Sequence, residues 1–118
     1  MLPWGAEATD VGVRNGRIIA LGVGPDATAD QVIDAKNLHV LPGLIDPHVH
    51  FRDPGDPTVE SIPTGSKGAI LGGLTAVFDM PNTDPSMVDA AGMAWKREYV
   101  ERVSWCDMGI YVGGTKTN

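Results

Sequence analysis

The sequence is poor in cysteine, histidine and aromatic residues, and it has no long apolar run. Cys106 is the single cysteine, so no intrachain disulfide can form, and we expect a reducing compartment, the cytoplasm. The absence of an apolar stretch of about 18 residues gives no indication of a membrane-spanning helix, so no membrane partner is expected. The opening residues "MLPWGAEATD" lack the basic and apolar regions of a secretory signal.

The chain also lacks an excess of positive charge. Lysine and arginine total 9 against 15 aspartates and glutamates, which gives a net charge of −6. A surface that follows nucleic-acid phosphates needs clustered lysine and arginine, so a nucleic-acid partner is not expected. Apolar residues make up 42% and charged residues 20%, the proportions of an ordinary globular domain.

The first forty residues have the pattern of β-structure. Val11 and Val13 alternate with small or polar neighbours, and Asn15-Gly16 then favours a type I′ turn. These signals predict a β-hairpin over residues 9–22. Short apolar pieces at Val32-Ile33 and at residues 38–41 predict two more strands.

From Gly43 onward, apolar strands alternate with helical patterns. Gly72-Gly73 is expected to end the first helix, and Asp89 is expected to cap the second. Ala90, Met93, Ala94 and Val100 predict its apolar stripe. The predicted elements after the first strand are a helix over 61–71, a strand over 74–79, a helix over 90–103 and a strand over 106–112. This β-α-β-α-β order predicts an α/β fold with a parallel sheet.

Three parallel strands and two helices make an incomplete sheet. A parallel sheet needs both faces covered, and a full α/β barrel takes about 250 residues. We therefore expect the 118 residues to be the front portion of something longer. Exposed sheet edges promote pairing with other chains, so we also expect a homo-oligomer.

Two of the three histidines lie in "GLIDPHVHFRDPG", residues 43–55. On a strand, residues two apart share a face, so His48 and His50 are expected to project side by side and to share a metal ion. Imidazole suits zinc, iron, copper and nickel, so this pattern leaves the metal open. Asp46 lies two residues before His48, on the same face of the strand, and is expected to orient a ligand histidine through a hydrogen bond without touching the metal. The alternative is a pair of solvated histidines.

The stretches "PGLIDPHVHFRDPG" and "DMPNTDP" together resemble the amidohydrolase superfamily and, more narrowly, the dihydroorotases. The resemblance covers most of the chain. It implies that residues 42–118 form the first part of a TIM-type (β/α) barrel. It also implies that residues 1–41 form part of the small β-sandwich that accompanies the barrel.

The resemblance further implies a zinc-dependent cyclic amide hydrolase that interconverts N-carbamoyl-L-aspartate and dihydroorotate in pyrimidine biosynthesis. His48 and His50 would bind zinc, with one or two ions in the complete site. Arg52 and Asn82 would bind the carboxylate of this small-molecule substrate. The alternatives are that Arg52 is a surface residue paired with Asp53 or Asp56, and that Asn82 serves only its turn.

The family's other metal ligands and its catalytic aspartate come from later strands, so no catalytic residue is expected within this chain, and the chain alone is expected to be inactive. Two related functions stay open: an allantoinase or dihydropyrimidinase type of hydrolase, and a non-catalytic scaffold partner of aspartate transcarbamoylase. A small β-rich binding module is a further alternative, but it does not explain the β-α-β-α-β order.

Overall fold

The computed structural model describes residues 5–118, and the chain divides into two compact units, Met1–Pro42 and Gly43–Asn118. No helix in the described part is long and apolar enough to cross a membrane. The helices and strands are β1 (Val11–Arg14), β2 (Arg17–Leu21), β3 (Leu44–Val49), α1 (Ile62–Leu71), β4 (Leu74–Asp79), α2 (Ala90–Val103) and β5 (Asp107–Ile110).

The first unit contains the predicted hairpin. Strands β1 and β2 pair antiparallel, and Asn15 and Gly16 take the positive φ angles of 51° and 70° that the turn requires. The two further strands predicted in this unit are wrong. Val32 and Ile33 are 83% and 77% exposed, and residues 38–41 are irregular. Neither piece is a strand of either sheet in the described residues.

The second unit is a parallel three-stranded sheet in the order β3-β4-β5, with a helix in each connection. The predicted β-α-β-α-β order is confirmed. The last residues of the three strands, Val49, Asp79 and Ile110, are paired across the sheet. The carboxyl ends of all three strands therefore meet at one edge, which is where α/β proteins build their sites.

Local capping explains where the helices begin and end. Ser61 precedes α1, and its hydroxyl accepts from the Thr64 backbone N–H at 3.3 Å. Asp89 precedes α2, and its carboxylate accepts from Gly92 N–H at 2.8 Å. Gly73, with φ of 88°, follows α1 in a conformation that glycine adopts readily.

The core of the second unit is a cluster of Phe51, Ile62, Val77 and Val100. Helix α2 contributes Val100 to this cluster, and its other buried residue is, unexpectedly, Lys96. The predicted apolar stripe of α2 is wrong at Ala90 and Ala94, which are exposed, whereas Met93 is half-buried and Val100 is buried.

Gly65 in α1 allows the ring of Phe51 to approach the helix closely. A Cβ at this position would lie 2.2 Å from Phe51 Cε1, whereas one at Gly68 in the same helix would meet nothing within 4 Å. We expect Gly65→Ala to lower the free energy of unfolding by about 1–3 kcal/mol through overpacking. Gly68→Ala is the matched control and should raise it by up to about 1 kcal/mol. Urea unfolding measures both, and equal effects of the two changes would contradict the contact.

Candidate functional site

The two histidines lie at the carboxyl edge of β3. His48 is inside the strand, and His50 follows it directly. The pairing with β4 advances from Asp46 to Val49 on β3 while β4 advances by two residues, so β3 carries one extra residue here. Pro47 has no N–H to give to the ladder, which is consistent with a bulge at this point. Bulges of this kind re-aim the side chains next to a site.

The imidazoles of His48 and His50 face each other. Their Nε2 atoms are 3.0 Å apart, and the ring planes are inclined at 56°. Two nitrogen ligands on a tetrahedral zinc, each about 2.0–2.1 Å from the metal, would lie about 3.3 Å apart. The sequence predicted only that the two rings share a face. Their Nε2 separation of 3.0 Å is close to that of two ligands of one metal ion.

Asn82, from the loop after β4, fixes the orientation of the His50 ring. Its side-chain oxygen is 2.8 Å from His50 Nδ1. A carbonyl oxygen only accepts, so Nδ1 carries the hydrogen and the lone pair remains on Nε2. This is the arrangement that a histidine needs when it binds a metal through Nε2. The side-chain nitrogen of Asn82 has no hydrogen bond to residues 5–118, so it stays available to a ligand.

Asp46 contacts the backbone of a histidine rather than its ring. Its carboxylate accepts from the His48 backbone N–H at 3.0 Å. Asp46 therefore holds the main chain at the bulge. Asp46 was predicted to orient a histidine ring. The ring contact is made instead by Asn82, which hydrogen-bonds to His50.

Arg52 is exposed, and its guanidinium has no ion pair or hydrogen bond to the described residues. Its backbone is fixed, because Arg52 N–H donates to the Glu60 carbonyl and the Arg52 carbonyl accepts from Asp56 N–H. Neither Asp53 nor Asp56 pairs with it. A charged, unpartnered side chain thus extends from an anchored backbone two residues beyond His50.

Asp53 anchors the loop that follows the histidines. Its buried carboxylate accepts from Ile62 N–H at 3.1 Å and from the Tyr99 hydroxyl at 2.9 Å. Burial raises the pKa of Tyr99, and the hydrogen bond to Asp53 and the charge of that carboxylate raise it further. Tyr99 therefore stays a protonated donor, and it ties the loop to α2.

Sequence reasoning missed a buried ion pair beneath the site. The carboxylate of Asp79, the last residue of β4, lies 2.5 Å from Lys96 Nζ, and both side chains are fully buried. The other oxygen of Asp79 accepts from Phe51 N–H at 2.9 Å, directly after His50. A signal was present: Lys96 is three residues after Met93 and four before Val100, which places it on the inner face of α2.

The described residues do not form a complete metal site. Within residues 5–118, no three histidine, cysteine, aspartate or glutamate side chains are grouped so that they could hold a metal ion. Catalytic zinc usually has three protein ligands. The donor type and spacing of His48 and His50 fit zinc, and further ligands would have to come from outside the described residues.

Known proteins share both the sequence and the fold. Residues 39–117 match the model of the amidohydrolase family. An allantoinase from Bacillus velezensis is 43% identical over 92% of this chain and 24% of its own length. A dihydroorotase from Methanothermobacter thermautotrophicus is 45% identical over 88% of this chain and 24% of its own length.

A solved structure, the L-hydantoinase (dihydropyrimidinase) from Arthrobacter aurescens, superposes with a TM-score of 0.84 at 28% identity, over 92% of this chain and 25% of that one. The chain thus spans about a quarter of the length of these relatives. Its α/β fold is that of the corresponding part of a TIM-barrel amidohydrolase. Because the family model covers two thirds of its residues, with His48 and His50 inside the match, the chain belongs to the amidohydrolase family.

Proposed function

We propose that this chain contributes to the active site of a zinc-dependent cyclic amide hydrolase, and that the substrate pair is dihydroorotate and N-carbamoyl-L-aspartate. The observation that carries the proposal is the His48–His50 pair, with facing Nε2 atoms 3.0 Å apart and His50 fixed by Asn82. Two independently solvated histidines, the alternative interpretation, would not account for these side-chain contacts. The free guanidinium of Arg52 follows on the same loop.

His48 and His50 would hold the zinc ion. When bound, zinc supplies a Lewis acid that polarises the ring carbonyl and makes a water molecule acidic enough to lose a proton near neutral pH. The contribution of this chain is orientation. Asn82 keeps the proton of His50 on Nδ1, and Asp46 fixes the backbone of His48. We propose that the chain alone lacks activity, because its described residues offer no third ligand to this pair.

Arg52 carries the proposed substrate choice. A guanidinium binds a carboxylate through two parallel hydrogen bonds, and dihydroorotate has a carboxylate beside its ring. The unpaired side-chain nitrogen of Asn82 adds a neutral donor at the same edge of the sheet. Arg52 is held by its backbone and Asn82 by its side-chain oxygen, so the side-chain N–H donors of both residues remain free to bind a ligand.

An allantoinase activity is the second candidate. A relative of that name is 43% identical, against 45% for the dihydroorotase, and the two similarities do not separate the functions. Allantoin has no carboxylate next to its ring, so Arg52 would have a different role there. The two candidates thus differ in how they depend on one side chain.

A substrate panel on the whole protein tests the proposal. We expect dihydroorotate to be hydrolysed faster than allantoin or dihydrouracil. We expect Arg52→Met to lower kcat/KM for dihydroorotate roughly 10- to 100-fold, the loss of charge-assisted hydrogen bonds. Arg97→Met is the matched control, because Arg97 is an exposed arginine of α2 paired with Glu101, and it should leave kcat/KM unchanged. Preferred hydrolysis of allantoin that is insensitive to Arg52→Met would establish the second candidate.

A further inference from the structure

The two oxygens of Asp79 have different partners. Oδ2 receives the Lys96 ammonium, and Oδ1 accepts the Phe51 backbone N–H. Both charged side chains have no solvent exposure. A buried ion pair is commonly no more stabilising than a well-packed apolar pair, so its presence calls for a second reason. The contact with the Phe51 amide points to one.

The Phe51 N–H belongs to the peptide unit that begins at the His50 carbonyl. Fixing this N–H fixes the backbone on the far side of His50. On the near side, the Val49 carbonyl accepts from Met80 N–H at 2.9 Å. Both anchors come from the end of β4, since Met80 directly follows Asp79. His50 is therefore held between two hydrogen bonds, one from Asp79 at the end of β4 and one from Met80 directly after it.

The ring of Phe51 strengthens this anchor. It is 5% exposed and packs against Gly65 so closely that a Cβ there would overlap with it. The amide and the ring of Phe51 are thus held by different elements, β4 and α1. Without the acceptor on Asp79, the amide would be a buried donor without a partner, and the turn that places His50 would rearrange.

We propose that Asp79 is a positioning residue for metal binding, which acts through the Phe51 amide to hold His50 Nε2 opposite His48. Lys96 supplies the opposite charge that keeps the carboxylate in place. The inference rests on the proposed function, because it takes the histidine pair to be the metal site. Asp79 touches neither the metal nor the substrate in this account.

Two double variants separate the hydrogen bond from the ion pair. Asp79→Asn/Lys96→Met removes both charges but keeps a side-chain oxygen for the Phe51 N–H. Asp79→Leu/Lys96→Met removes the charges and the oxygen while retaining the volume. Zinc affinity is measured on the whole protein by competition with a chromophoric chelator, and stability is measured separately by urea unfolding.

We expect the asparagine variant to keep its zinc dissociation constant within about threefold, and the leucine variant to bind zinc about 10-fold or more weakly. Val100→Ala, a core truncation on the same helix, controls for lost stability alone and should leave zinc affinity unchanged. Wild-type affinity in a folded leucine variant would overturn the inference. If the leucine variant does not fold, a loss of 10-fold or more in the asparagine variant would overturn it.

A measurement without metal distinguishes this inference from the proposed function. Ring ¹⁵N chemical shifts report the Nδ1–H form of His50, and amide exchange reports the Phe51 N–H. We expect both signals to persist in the asparagine variant and to be lost in the leucine variant. If wild-type protein binds no zinc through His48 and His50, the proposed function fails, and the inference about metal binding fails with it. If zinc binds but the His50 ring shifts and the Phe51 amide exchange are unchanged in the leucine variant, only the inference fails.

Discussion

Replacing His48 with alanine is expected to weaken zinc binding by the whole protein at least about 100-fold. Loss of a residue that merely orients a ligand already costs 10- to 100-fold, and a ligand itself contributes more. His48 and His50 supply two nitrogens only 3.0 Å apart, so removing either ring leaves one side of the site with a single donor. Zinc content after dialysis and the dissociation constant from chelator competition provide the measurement.

The third histidine gives the matched control. His39 is exposed and lies outside the paired site, so His39→Ala removes the same side chain from a different place. We expect its zinc affinity to equal that of the wild type. Equal zinc affinity of the His48→Ala and His39→Ala proteins would show that the facing rings do not bind metal.

The second large effect is expected at Lys96. Lys96→Met leaves the Asp79 carboxylate buried without its counter-charge, and breaking a buried pair on one side typically costs about 3–5 kcal/mol of unfolding free energy. Asp79→Leu/Lys96→Met should recover much of that loss, because no buried charge remains. Urea unfolding of the single and double variants at one pH supplies the comparison.

Lys67→Met controls for the loss of a lysine from a helix. Lys67 is exposed on α1, with its ammonium 5.5 Å from the centre of the Trp105 ring, and its replacement should cost at most about 1 kcal/mol. A Lys96→Met protein no less stable than Lys67→Met would mean that the buried pair contributes nothing. A double variant less stable than Lys96→Met would mean that the acceptor on Asp79 matters more than the charge.

Signals confined to a few neighbouring residues predicted the fold best. Asp89 caps α2 and Gly73 follows α1, and both act through their own backbone or side chain within one turn. Strand β4 likewise has the predicted bounds, because its apolar run ends abruptly at Asp79. The shared face of His48 and His50 was also predictable, although their Nε2 separation was not.

Features that depend on distant partners escaped prediction. The apolar pair Val32-Ile33 has the composition of a strand but no neighbouring strand in the described residues, and composition does not reveal a missing partner. The burial of Lys96 was not predicted, because charged residues are rarely fully buried unless paired, and its partner is 17 residues away in β4. Asn82 contacts His50 across 32 residues, a proximity that only the parallel pairing of β3 and β4 creates.

The contrast between Arg52 and Asp79 has an evolutionary consequence. Because the exposed Arg52 guanidinium has no hydrogen bond or ion pair to the described residues, its replacement breaks no such interaction in the fold, and selection can exchange it one mutation at a time. Asp79 and Lys96 are mutually dependent, so each single replacement passes through a less stable intermediate, and the two positions should change together among descendants. If Arg52 selects the substrate as proposed, substrate preference can change by single mutations, whereas the Asp79–Lys96 ion pair is inherited as a unit.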